Sequence, residues 1–168
     1  MKILILNASP RSYATKSIIK AGEKRGHEMT VLDPSYLYLL ISDRVQGYDA
    51  IFDSYPCMDK EKPERLKAKD FDCVISRIGR NLSYGLSVLE HFSGNLGLFS
   101  TQTPYGISIA ANKLLSGQKI SQAKIRTPKT LYADKLVHIA WALDQIGGLP
   151  AIAKGLTGSQ GKSVLPLI

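Results

Sequence analysis

Residues 2–6, KILIL, are an unbroken apolar run at the very start of the chain. Five consecutive apolar or stem-apolar residues without alternation suit a strand covered on both faces, the usual state of a central parallel strand. The turn-forming stretch NASPRS follows, then an amphipathic pattern from about Ala14 to Lys24 that Gly26 stops, then HEMTVLDP, closed by Asp33-Pro34. Strand, helix and strand within roughly thirty residues make a βαβ unit, whose two strands must run parallel. An open α/β sheet is therefore the expected beginning.

Further segments extend it. YLYLLI (36–41), YDAIFDS (48–54), FDCVISRIG (71–79) and LGLFS (96–100) read as strands, and SYGLSVLEHFSGN (83–95) as a helix. MDKEKPERLKAKD (58–70) is a mixed-charge loop. From Thr101 the texture changes. TPYGISIAANKLLSGQKIS is helical with internal breaks, and RTPKTLYA is an extended edge. DKLVHIAWALDQIGG is an amphipathic helix with Asp134 as its expected N-cap and Gly147-Gly148 as its stop. The expected division is an open α/β domain over 1–100 and part of a second unit over 101–168. No internal repeat or low-complexity segment interrupts it.

Several function classes drop out. The first strand follows Met1 directly, with no cleavage site and no long apolar stretch, so neither a signal peptide nor a membrane span is expected and the reading is cytoplasmic. Cys57 and Cys73 form neither a disulfide framework nor a metal knuckle and read as two reduced structural thiols. No G-x-G-x-x-G is present, against a dinucleotide cofactor. His27, His91 and His138 are scattered and suggest no metal or triad arrangement.

The closing stretch AIAKGLTGSQGKSVLPLI contains GSQGKS, which invites comparison with a phosphate-binding P-loop. In that pattern Leu156 would occupy the place of the first glycine, and a helix would have to follow Ser163. VLPLI follows instead, with proline at its centre. The segment reads as a β-hairpin: strand over Pro150 to Lys154, a glycine turn over Gly155 to Gly161, and a second strand from Ser163. Bare N–H groups at such a tip suit an anion. The apolar run at its end is expected either to pair with another copy of the chain or to belong to the front part of a longer protein, and in this form to favour self-association.

Net charge is +8, and residues 112–135 alone hold six cations against Asp134. Beyond Glu90 the only carboxylate side chains are Asp134 and Asp144. A basic nucleotide half-site parted from an acidic, metal-binding half has this distribution; so does a solvated basic surface. Apart from Tyr132 no aromatic is interleaved with these cations, so direct nucleic-acid binding is not expected.

Four segments in order, AGEKRGHEMTVLDP, DFDCVISRIGRNLSYGLSVLEHF, ANKLLSGQKISQAKIRTPKT and LPAIAKGLTGSQGKSV, together resemble the N-terminal half of the RimK-type ATP-grasp ligases. The resemblance implies a pre-ATP-grasp Rossmann-like open parallel sheet followed by the first α+β lobe of an ATP-grasp domain. It implies an ATP-dependent carboxylate–amine ligase working through an acylphosphate. The amino acid added would be glutamate, and the acceptor a small-molecule or protein carboxylate such as a ribosomal protein C-terminus. ATP and Mg2+ are the implied cofactors, with the metal ligands in a second lobe beyond residue 168, so that this stretch alone would not turn over.

By position, Lys154 resembles the family lysine that contacts ATP phosphates, and Lys113 the lysine of a DK element, here preceded by Asn112. Gly158, Ser159, Gln160 and Gly161 resemble the loop that closes over phosphates, although Thr157 stands where glutamate is usual and Ser163 where glycine is common. The plainer alternatives are surface lysines and an ordinary hairpin turn.

In the first domain, Ser9 and Arg11, and Arg77, Asn81, Ser83 and Tyr84, follow strands at the sheet edge where open α/β folds bind ligands, which makes them candidate acceptor contacts. A helix cap and solvated side chains would explain them equally. Two competing readings stand beside the ligase: a non-catalytic basic α/β module docking on the ribosome, RNA or a protein partner, and a nucleotide-dependent transferase using the same hairpin.

Overall fold

The protein was analysed as a computed structural model, which describes residues 1–40, 53–56, 66, 70–135, 137–157 and 163–168. They form two compact units, Met1–Gly106 and Ile107–Ile168.

The first unit is built on a parallel sheet of β1 (Lys2–Leu6), β2 (Glu28–Leu32), β5 (Cys73–Ser76) and β6 (Phe99–Ser100), in the order β2-β1-β5-β6. Leu4, Ile5 and Leu6 are wholly buried, as the unbroken apolar run requires of a strand with neighbours on both sides. Between β1 and β2 lies α1 (Tyr13–Glu23), opened by Ser12, whose hydroxyl accepts from the Thr15 N–H. Gly26, at φ 76°, turns the chain into β2.

The described parts of the segments expected as strands at 36–41 and 48–54 do not join this sheet. They contribute β3 (Leu37–Leu40) and β4 (Asp53–Pro56), which pair antiparallel in a separate two-stranded ribbon. Residues 48–52, the loop expected at 58–70 apart from Leu66 and Asp70, and Cys57 lie outside the described residues.

After β5, α2 (Leu82–Glu90) runs on into a π-helical turn, His91–Asn95. Val88, Leu89 and Phe92 are completely buried. His91 is buried too and meets the Phe92 ring edge-on at 5.3 Å and 77°, as a core residue. The strand expected at 96–100 is cut to two residues because Gly97 adopts φ 71°.

The helical stretch from Thr103 becomes α3 (Pro104–Ala111) and α4 (Lys113–Gln122), split where Asn112 leaves helical geometry and caps α4, accepting from the Leu114 and Leu115 N–H groups. Two expectations fail here. RTPKTLYA forms no strand, and Asp134 is not a helix cap: α5 begins only at Ile139, with His138 in the capping position and no side-chain hydrogen bond there. Gly147 stops α5 as expected, at φ 108°.

The unit ends in an antiparallel hairpin, β7 (Ala151–Lys154) with β8 (Val164–Leu167). A strand, not a helix, follows Ser163, which excludes the P-loop on geometry. Among the described residues of this unit only Ala142 is buried.

Candidate functional site

The carboxyl ends of β1 and β5 lie side by side, with Leu6 opposite Ser76. The chain leaves β1 toward β2 on one flank, and β5 occupies the other. This is the switch point of the sheet, where neighbouring loops part and leave a crevice.

The loop out of β1 is held from within. Asn7, almost fully buried, donates from Nδ2 to Thr15 Oγ1 at 2.6 Å, and its Oδ1 accepts from the Ser9 N–H at 2.6 Å. Thr15 Oγ1 also lies 2.9 Å from Ser12 Oγ. Ser9 and Arg11 are carried on this tethered loop with exposed side chains.

Across the switch point, the Arg77 N–H donates to the Leu6 carbonyl at 2.9 Å, extending the ladder one step past β5. Arg77, Asn81 and Ser83 are exposed. Asn81 is left-handed at φ 44° and caps α2 by position only, with no side-chain hydrogen bond. Such backbone is unfavourable for a residue with a Cβ, though asparagine tolerates it better than most. Tyr84 is committed elsewhere: its hydroxyl donates to the Leu37 carbonyl at 2.6 Å, fastening α2 to the start of β3. The structure thus carries Ser9, Arg11 and Arg77 on loops leaving the same sheet edge, followed by Asn81 and Ser83, while Tyr84 serves as a tie.

The second unit brings the basic candidates together through backbone. The Lys113 N–H, first in α4, donates to the Leu156 carbonyl at 3.0 Å, two residues beyond Lys154. The Gly155 N–H donates to the Ser163 carbonyl at 2.9 Å and closes the hairpin base. The Tyr132 hydroxyl donates to the Lys113 carbonyl at 3.0 Å. That ring crosses α4 at Gly117, where a Cβ would stand 2.6 Å from the phenol oxygen. Asn112 performs the capping that an aspartate would perform, so its departure from the DK pattern leaves the Lys113 backbone anchored.

Lys113 is half-buried and Lys154 exposed at the strand end. Gly158, Ser159, Gln160 and Gly161 lie outside the described residues. Sequence reading passes over Asn7 and Thr15, and notes Tyr132 only as an aromatic among cations. The only hint of the first two is a polar pair flanking a turn after an apolar strand.

The Lys154 ammonium at the hairpin base, with the Lys113 main chain bonded beside it, suits the phosphates of a nucleotide. The residues at hand do not suit a divalent metal, which asks for several carboxylate oxygens. Among the described residues no three histidine, cysteine, aspartate or glutamate side chains gather as a metal site. The Cys73 thiol is no nucleophile: burial, and then the Asp72 carboxylate, push it above its ordinary value, against a smaller opposing pull from the terminal ammonium.

Comparison with known proteins bears on this arrangement. Residues 1–52 match the RimK PreATP-grasp domain. The resemblance to RimK-type ligases holds. "Probable alpha-L-glutamate ligase 1" of Shewanella denitrificans (strain OS217) is 34% identical over 166 residues, covering 98% of this chain and 52% of that protein. The chain spans about half the length of the curated relatives it matches.

Among solved structures, a RimK domain protein ATP-grasp from Sphaerobacter thermophilus DSM 20745 superposes with a TM-score of 0.66 at 19% identity, over 99% of this chain and 53% of that one. The ATP-grasp ligase PsnB, complexed with minimal precursor, Mg and ADP, gives 0.59 at 15% identity, over 99% and 57%. At these identities the two structures speak for the fold alone: an α/β arrangement like that of the ATP-grasp proteins. No described helix is long and apolar enough to cross a membrane.

Proposed function

We propose that this RimK-type chain is the front part of an ATP-dependent carboxylate–amine ligase that adds glutamate to an acceptor carboxylate, on a peptide or on a protein such as a ribosomal protein. The observation that carries this reading is the 3.0 Å bond from the Lys113 N–H to the Leu156 carbonyl, which sets the start of α4 against the base of the hairpin that bears Lys154. Bound ATP would supply a phosphoryl group to the acceptor carboxylate. The amine of glutamate would then displace phosphate to form the amide.

Within this chain, Lys113 and Lys154 would hold phosphate oxygens and offset the charge on the transferring group. Gly158 to Gly161 would offer main-chain N–H groups over it. Ser9, Arg11, Arg77, Asn81 and Ser83 would orient the acceptor carboxylate. The Shewanella denitrificans relative is named as a probable alpha-L-glutamate ligase, and PsnB was captured with a precursor, Mg and ADP; both favour this assignment. Mg2+ would need carboxylates from outside residues 1–168, because past Glu90 the chain offers only Asp134 and Asp144.

Isothermal titration of ATP into the 168-residue chain tests the reading, alongside an ADP-release assay with Mg2+, glutamate and an acidic peptide. The expected result is weak ATP binding that Lys154→Ala abolishes, with no ADP release. ATP binding unchanged by Lys113→Ala and Lys154→Ala together would overturn it.

A further inference from the structure

A cavity of about 290 Å³ opens where the π-helical turn after α2 meets the segment that follows β6. All its lining residues belong to the first unit. Its polar lining comes from Glu90, Ser93, Ser100, Gln102 and Thr103, with no lysine, arginine or histidine.

Every hydroxyl whose proton is assigned points that proton away from a ligand. Ser93 Oγ donates to the Leu89 carbonyl at 2.8 Å, Ser100 Oγ donates to the Gln102 carbonyl at 2.7 Å and accepts from the Gln102 N–H at 3.3 Å, and Thr103 Oγ1 accepts from the Gly106 N–H at 3.0 Å. The Glu90 side chain, exposed to solvent, makes no ion pair or hydrogen bond with another described residue, although the chain carries a net charge of +8. The Glu90 carboxylate lies over Gly94, where any Cβ would overlap it. Glycine at 94 is therefore what lets that carboxylate rest at the cavity mouth. The helical run from Leu82 to Asn95 also ends here, and the carboxyl end of a helix favours positive charge.

A lining with one carboxylate and no cationic side chain favours a cationic ligand. A metal ion is a poor fit, because the lining holds a single carboxylate and the volume far exceeds a bare ion. Leu98 and Pro104 supply an apolar side against which a short methylene stem can lie. We propose that this cavity binds a small organic cation, an alkyl ammonium or guanidinium group, with the Glu90 carboxylate as its counter-charge. The source of that group is either a free amine or a lysine or arginine side chain of a peptide.

The test is a heteronuclear NMR titration of the 15N-labelled chain with methylguanidinium chloride and with butylammonium chloride, against sodium chloride at equal ionic strength. Saturable shifts confined to the amides of Ser93, Gly94, Gln102 and Thr103 are expected, and binding about tenfold weaker or more in Glu90→Gln. Gly94→Ala, which displaces the carboxylate without removing it, should weaken binding while leaving the circular dichroism spectrum unchanged. Titrations with 1,4-diaminobutane and with arginine- and lysine-containing tripeptides distinguish the two sources by which binds tighter. Shifts no larger than those from sodium chloride, shifts elsewhere, or Glu90→Gln titrating like the parent chain would overturn the proposal.

Discussion

Thr15 shows how much one hydroxyl can fix. Completely buried, it receives the Asn7 amide, lies against Ser12 Oγ and reaches the Ser9 carbonyl at 3.3 Å. The whole loop that presents Ser9 and Arg11 is wound around it. Thr15→Val keeps the shape and strands the Asn7 amide in the interior. A loss of about 1–3 kcal/mol in urea unfolding is expected, because an unsatisfied buried donor costs its full desolvation. A loss below the error of the measurement would show that the loop stands without the network.

Cys73 makes a second residue-scale case. Its thiol is raised above the ordinary value of 9.0, so folding favours the protonated form. That contribution is complete below the unfolded value and is lost as pH climbs through the folded one. In a Cys57→Ser background, alkylation by iodoacetamide at pH 8 should run at least about tenfold slower in the folded chain than in urea. Equal rates would contradict the burial.

Elements divide into those governed by nearby residues and those governed by distant ones. β1, α1, β2, α2 and the α5 stop were legible because each carries its own signal: an unbroken apolar run, a 3.6-residue period, a glycine that ends a helix. β3 and β4 were recognisable as strands, but not as a separate antiparallel ribbon, since pairing partners are chosen by tertiary contact. RTPKTLYA misled because β-branched and proline residues suit extended backbone in general, whereas here one residue, Tyr132, is bound to the Lys113 carbonyl and no strand lies alongside.

Asp134 misled through composition alone: it has a capping side chain but lies five residues before the first turn of α5. The position that a cap would improve is His138. His138→Ser should stabilise the second unit by about 1 kcal/mol in thermal or urea unfolding, and Asp134→Ala should leave it unchanged. The opposite pattern would restore Asp134 as the start of the helix.

At the scale of the molecule, the two units differ in how much apolar side chain they bury. The first has a core running through β1, β5 and α2. In the second, Val137, Trp141, Ile152 and Leu165 are all more than half exposed. The chain spans about half of its glutamate-ligase relatives, and its carboxylates are concentrated before residue 91. The proposed nucleotide-phosphate contacts were legible in the sequence only as Lys154 before a glycine turn and as Lys113 by position. What joins them, a main-chain hydrogen bond between residues 113 and 156, leaves no trace in side-chain identity.

That juxtaposition is the claim most directly open to measurement, by following the backbone amides of the 15N-labelled chain as ATP is added. Perturbations should cluster at Lys113 to Leu115 and at Lys154 to Thr157, and should vanish in Lys154→Ala. Perturbations absent from these residues, or centred on Ser9 to Ser12 and Arg77 to Asn81, would contradict it.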